Sequence, residues 1–182
     1  MLTNKRYLAL DFDGVMHPET KGKDYFCLKK FLYPVVKKYD LNIIISSAWR
    51  TSFDLDGLKK LLGKKLGSHV VGSTPDHSLS MYDLLDTRSI EERIEDEFPS
   101  FYGRRQREIE DWIGKNGITS DQWIALDDIP ILFAKYCPNL FLTDSEIGLD
   151  KSKACEFDLF CGKIFGIDKK IKAAHPLKSD FS

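Results

Sequence analysis

The sequence predicts an α/β protein: a three-layer α/β/α sandwich built on a mainly parallel sheet of about five strands. Three observations carry that prediction. Short apolar runs recur along the 182 residues, each closing on small or acidic residues. Helical patterns fall between them, the alternation expected of βαβ units whose sheet is covered on both faces. Three of the runs close on polar groups: Asp11 and Asp13, Ser46 and Ser47, and Asp127 and Asp128. In open α/β sheets the ligand crevice lies outside the carboxyl ends of the strands, so these residues would meet at one site.

In chain order, Tyr7-Leu8-Ala9-Leu10 reads as the first strand. Residues from about 25 to 39 carry Phe26, Leu28, Phe31, Leu32, Val35 and Val36 at helical spacing, and Pro34 either kinks that helix or begins a second. Asn42-Ile43-Ile44-Ile45 is a β-branched second strand running into Ser46-Ser47. Ser52 is the expected cap of a helix bearing Leu55, Leu58, Leu61 and Leu62, which ends near Gly63 or Gly67. His69-Val70-Val71 before Gly72 is a short third strand. Arg104–Lys115 reads as a helix with Ile109, Trp112 and Ile113 on one face and Gly117 beyond its end. Trp123–Leu126 is the fourth strand and Leu140–Leu142 the fifth, closing on Thr143-Asp144. A last helix covers roughly 151–160.

Residues 1–182 fit one domain. Residues 74–103 break the alternation as an acidic insertion or small lid, with Asp76, Asp83, Asp86, Glu91, Glu92, Glu95, Asp96 and Glu97 and a short helix expected near 89–98. Residues 167–182 form a polar, basic tail expected to be only partly ordered. The net charge of −1 gives no global field toward nucleic acid or acidic membranes. Cys27, Cys137, Cys155 and Cys161 are scattered, with no CxxC pair, and read as reduced, partly buried thiols. The first six residues lack the apolar core of a signal peptide, and no run approaches a membrane span, so the expectation is a cytoplasmic protein.

Asp11-Phe12-Asp13-Gly14-Val15 is the most chemical segment: two carboxylates two residues apart, then a glycine that permits a sharp turn. With Ser46-Ser47 after the second strand, Arg104-Arg105 opening the helix before the fourth, and Asp127-Asp128 ending that strand, it resembles the four ordered motifs of the haloacid dehalogenase (HAD) superfamily, most of whose members are phosphatases. The resemblance covers roughly residues 6–146. The stretches Ser46-Ser-Ala-Trp-Arg50, Arg105-x-x-Glu108-Ile109-x-x-Trp112-Ile113 and Leu126-Asp-Asp are similar to a cap-poor branch that includes domains of RNA-repair proteins.

The resemblance implies a Rossmann-like core and a Mg²⁺-dependent phosphatase. Asp11 is the implied nucleophile, giving an aspartyl-phosphate, and Asp13 the implied proton shuttle. Asp11, Asp13 (through a nearby backbone carbonyl), Asp127 and Asp128 are the implied metal ligands. Ser46 or Ser47 and Arg105 or Arg104 are the implied phosphate contacts; Arg50 either joins them or pairs with an acid. Individually these groups also fit plainer roles, as turn residues, a helix cap and a solvated helix face. Asp144 suits capping or supporting duty. His17 follows the first motif but is expected on the surface, and His69, His77 and His175 have no catalytic spacing. Trp112 and Trp123 are expected in the core.

Neither gap that could hold a large cap does so here: Met16–Asp40 is mostly one helical region, and the acidic insertion gives at most a small lid. An open site suits a bulky substrate such as a polynucleotide end, with monomer or homodimer both open. Lys29, Lys30, Lys37, Lys38, Lys59, Lys60, Lys64 and Lys65 would serve nucleic acid if they lay beside the site. A small-metabolite phosphatase and a catalytically silent binding module are the alternatives.

Overall fold

The strands are β1 (Arg6–Leu10), β2 (Leu41–Ile45), β3 (Val70–Ser73), β4 (Trp123–Asp127) and β5 (Leu140–Leu142) in a computed structural model that describes residues 5–20, 24–77 and 103–166. They form one sheet in the order β3-β2-β1-β4-β5, parallel throughout. Parallel strands buried on both faces need near-continuous apolar runs, which is why Ile43-Ile44-Ile45 and Trp123–Leu126 were legible.

Alternation of side chains sends the two sets of apolar residues to opposite cores. Leu8, Leu10, Ile43, Ile45, Ile124 and Leu126 share one core with helices α1 (Lys29–Tyr39), α2 (Leu55–Gly67) and α4 (Lys151–Ile164). Ala9, Ile44, Trp123 and Ala125 face the other, packed against Ile109 and Ile113 of α3 (Arg104–Lys115) with Leu132 and Phe133. The fold is therefore the expected three-layer Rossmann-like α/β/α sandwich, with no large cap among the described residues. The chain places β2 and β3 on one side of β1, then crosses to β4 and β5 on the other. That reversal opens a crevice between the carboxyl ends of β1 and β4.

Several boundaries move. The first helix begins at Lys29 rather than near 25, because Phe26 takes a left-handed conformation (φ 62°) while burying its ring in the core. Pro34 stays inside one helix. The cap of α2 is Asp54 and not Ser52: Asp54 Oδ1 accepts from Gly57 N at 2.7 Å, a bond worth about 1 kcal/mol. Gly63 breaks the helical path (φ 76°) and Gly67 ends it, so both expected ends are used. The third strand extends to Ser73, and α4 runs on to Ile164 with Asp150 as its cap.

Residues 78–102 of the acidic insertion, with its expected short helix, lie outside the described residues, as do the tail from 167 and His175. Among the described residues no helix is long and apolar enough to cross a membrane. The four thiols are free: Cys161 is buried, Cys27 and Cys137 half-buried, Cys155 exposed. A cavity of about 460 Å³ between α1 and α4, lined by apolar residues with Lys30, Lys151, Cys155 and the Lys38–Asp158 ion pair, shares no residue with the carboxylate cluster.

Candidate active site

Asp11 is the first residue beyond β1, and its N–H bonds Leu126 O of β4 at 3.1 Å, which ties the two strand ends together. Asp127 is the last residue of β4 and Asp128 the next. One carboxylate oxygen from each of Asp11, Asp127 and Asp128 lies within 4.8 Å of the others. Asp11 and Asp127 are buried, and Asp128 is half-buried.

Three acids so close cannot all ionise without a counter-charge. Arg105 supplies part of one: its Nη1 lies 2.6 Å from Asp11 Oδ2 and 2.7 Å from Asp127 Oδ2. Burial disfavours the Arg105 cation, but the two carboxylates outweigh it and hold its pKa above the usual guanidinium value. The charge is not balanced. Burial, then the neighbouring Asp127 charge, pushes the Asp11 carboxyl up to about 7 despite Arg105. The same two causes raise Asp128 to about 6. Asp128 Oδ1 is buried with no hydrogen-bond partner, although burying such an oxygen is costly. Three carboxylates this close, with one buried oxygen unpartnered, form a donor set that fits a divalent cation.

Gly14 makes the close approach possible. It sits at φ 63°, and a Cβ there would run into the Asp128 carboxylate. Thr143 Oγ1 donates to Gly14 O at 2.8 Å, so the residue after β5 holds the turn from below. Gly14→Ala is expected to cost about 1–2 kcal/mol in backbone strain and to displace Asp128. A thermal melt lower by about 2–8 °C checks it.

The Asp13 side chain lies outside the group that Asp11, Asp127 and Asp128 form, and the contact expected of it was through a backbone carbonyl. Its carboxylate turns outward instead. Oδ2 accepts from Trp49 Nε1 at 2.8 Å and Oδ1 from His17 Nε2 at 3.1 Å. His17 is buried, not a surface residue, and packs against Tyr25, Phe26 and Trp49. These two ring donors orient Asp13, yet the Asp13-to-His17 spacing falls in an irregular turn where no periodicity marks it. The Asp13 carboxylate remains 46% exposed at the mouth of the crevice.

Ser46 follows β2, with its N–H on Leu10 O, and its buried Oγ has no partner. Ser47 is used locally, its Oγ accepting from Trp49 N to cap the 3₁₀ turn Ala48–Thr51. Ser46 therefore has the unspent hydroxyl. Arg50 is buried and paired with Glu108 (Nη2 to Oε2, 2.6 Å), and it also donates to Ser47 O and Pro75 O. Burial lowers its pKa against the pull of Glu108. Arg50 thus braces the loop after β2 against α3, and the sequence could not reveal Glu108 as its partner 58 residues away. Arg104 lies near Glu108 (Nε to Oε1, 3.8 Å), and Arg105 reaches the Asp11 cluster.

Asp127 Oδ1 also accepts from Ile129 N, so the turn role and the cluster role coexist. Asp144 bonds Glu146 N and stays outside the cluster. Trp123 is a core residue and Trp112 packs at its edge. His69 faces Leu41 O, and His77 faces Asp111. Lys29, Lys30, Lys64 and Lys65 line a separate hollow of about 360 Å³ beside Tyr33, and Lys38 pairs with Asp158. These five lysines lie away from the carboxylate cluster.

The chain finds no significant match among curated proteins or solved structures. One family model, described as the HAD domain in Swiss Army Knife RNA repair proteins, matches residues 7–154, from β1 into α4. The match spans every strand and every group of the crevice. The chain therefore belongs to this family of HAD domains.

Proposed function

We propose that the protein is a Mg²⁺-dependent phosphatase that works through an aspartyl-phosphate on Asp11, with a nucleic-acid end or nucleotide as substrate. The observation that carries the reading is the gathering of three carboxylates, Asp11, Asp127 and Asp128, at one point with the Arg105 guanidinium against only two of them. Asp11, Asp127 and Asp128 are hard oxygen donors suited to a divalent ion, and the partnerless Asp128 Oδ1 supports this reading. Bound there, Mg²⁺ would neutralise charge on the phosphoryl oxygens. Membership of a family of HAD domains from RNA repair proteins favours a polynucleotide end over a sugar phosphate.

The chain's own groups divide the work. The Asp11 carboxylate attacks phosphorus, and the bond to the leaving oxygen breaks. Asp13, held by Trp49 and His17, gives its proton to that oxygen. A water oxygen then attacks phosphorus, its proton passes to Asp13, and the Asp11–phosphorus bond opens to release inorganic phosphate. Arg105 holds Asp11 in place, and the free Ser46 hydroxyl donates to a phosphoryl oxygen.

Hydrolysis of terminally phosphorylated oligonucleotides, nucleotides, sugar phosphates and an aryl phosphate, each with Mg²⁺ or chelator, tests the reading. Release of phosphate only with Mg²⁺ is the expected result. Metal binding with no turnover of any ester would leave a silent module, and preference for sugar phosphates would overturn the nucleic-acid assignment.

Trp49→Phe removes one of the two donors to Asp13 and is expected to lower kcat by about tenfold or more, part of the usual acid–base contribution. KM for a small aryl phosphate should change less than kcat.

The raised carboxyls also fix a pH dependence. Their folded pKa values lie above the ordinary 3.8. Between about pH 4 and 7 the folded protein therefore holds more protons than the unfolded chain, and without metal its stability falls as pH rises. Asp11 and Asp128 would give up those protons on holding Mg²⁺ together with Asp127. At about 100 times its Kd it should raise Tm by about 5–10 °C at pH 8 and by clearly less at pH 5. An equal shift at both pH values would contradict metal binding at these carboxylates.

A further inference from the structure

Beside Asp13 lies an open cleft of about 420 Å³, lined by Asp13, Ala48, Trp49, Thr51, Ser52 and Phe53. We propose that this cleft is a stacking subsite for the nucleobase next to the scissile phosphate, so that the leaving group is a nucleoside end. The inference rests on the phosphatase reading and adds the part of the substrate that the carboxylates do not touch.

Exposed aromatic residues scattered singly on a surface need no explanation. Here they gather at the proton-transferring carboxylate. Phe53 is 42% exposed and lies nearly parallel to Trp49, with centroids 5.6 Å apart and planes at 16°. Tyr25, 56% exposed, meets the same indole edge-on at 5.5 Å. Trp49 is fixed from within, by its Nε1 bond to Asp13 and by Phe12 and Phe26 behind it. An exposed phenyl ring on a fixed indole is a rigid platform, which costs little entropy to use.

The chemistry of the lining selects the occupant. No cationic side chain is among these residues, so the cleft suits an uncharged group rather than a second phosphate. Thr51 and Ser52 add hydroxyls suited to the polar edge of a base, while the ring faces suit its π surface. The position is also right. Asp13 gives its proton to the leaving oxygen, so the group attached to that oxygen is the one that reaches the Trp49–Phe53 wall. A base there would be read by stacking, with little sequence preference.

Calorimetric binding to Asp11→Asn protein with Mg²⁺ tests the subsite without turnover. The ligands are a terminally phosphorylated dinucleotide, the same molecule with its terminal base removed, and a phosphotyrosyl peptide. The base-bearing ligand is expected to bind about tenfold or more tighter than the abasic one. Phe53→Ala in the same background should narrow that ratio to within about threefold. Equal binding of the base-bearing and abasic ligands overturns the subsite. Tighter binding of the phosphotyrosyl peptide than of the dinucleotide overturns the nucleobase assignment. The wild-type enzyme separates the two readings. Turnover without base preference leaves the phosphatase and removes the subsite. Base-dependent binding without turnover keeps the subsite and removes the phosphatase.

Discussion

Asp11→Asn lowers kcat by at least about 10⁴-fold, because it removes the nucleophile while leaving the shape of the crevice. Stability should move the other way. Asp11 is buried against Asp127, and its charge opposes folding enough to hold its carboxyl near 7. The neutral amide relieves that repulsion, and Arg105 keeps its 2.7 Å contact with Asp127. Without metal the variant therefore melts no lower than wild type at pH 8. A variant that lost both activity and stability would have lost its fold, and the activity result would say nothing of nucleophilic attack. Activity is measured against an aryl phosphate with Mg²⁺, and the melt with chelator.

Arg105→Met is the second large effect, and it acts mainly on stability. The guanidinium is buried and touches two carboxylates of the cluster. Removing one partner of a buried pair costs about 3–5 kcal/mol, since the charge left behind has no compensation. A Tm fall of about 10 °C or more follows for a chain of this size. The sign of its pH dependence is fixed too. Without Arg105 the acids hold protons to still higher pH in the folded state, so the penalty is largest at pH 8 and shrinks toward pH 5. Mg²⁺ should recover part of it. A loss independent of pH and of Mg²⁺ would mean that Arg105 serves packing and not charge.

Much of this was legible in the sequence, for physical reasons that differ by residue. The strands of a parallel sheet are apolar on both faces, so Ile43-Ile44-Ile45 and Trp123–Leu126 read clearly. Asp11 and Asp127 stand at the ends of those runs, and strand-end position alone brings them together. Arg104 and Arg105 could not be separated in advance, because one residue is a rotation of about 100° on a helix. The helix starts at Arg104, which turns Arg105 beneath the sheet end. Ser46 and Ser47 are adjacent in the same way, and only the 3₁₀ turn after β2 shows which hydroxyl is consumed. Asp13 and His17 lie in an irregular turn and meet Trp49 from a single 3₁₀ turn, segments too short for a period to be read. Arg50 and Glu108 depend on a loop and a helix distant in the chain.

The stereochemical course at phosphorus tests Asp11 as nucleophile most directly. A phosphorothioate monoester made chiral at phosphorus with two oxygen isotopes, hydrolysed with Mg²⁺ in water of the third, gives thiophosphate whose configuration counts the displacements. Attack by Asp11 followed by attack of water is two in-line inversions, so net retention is predicted. Net inversion would mean that water attacks the ester in one step, and that Asp11 is not the nucleophile.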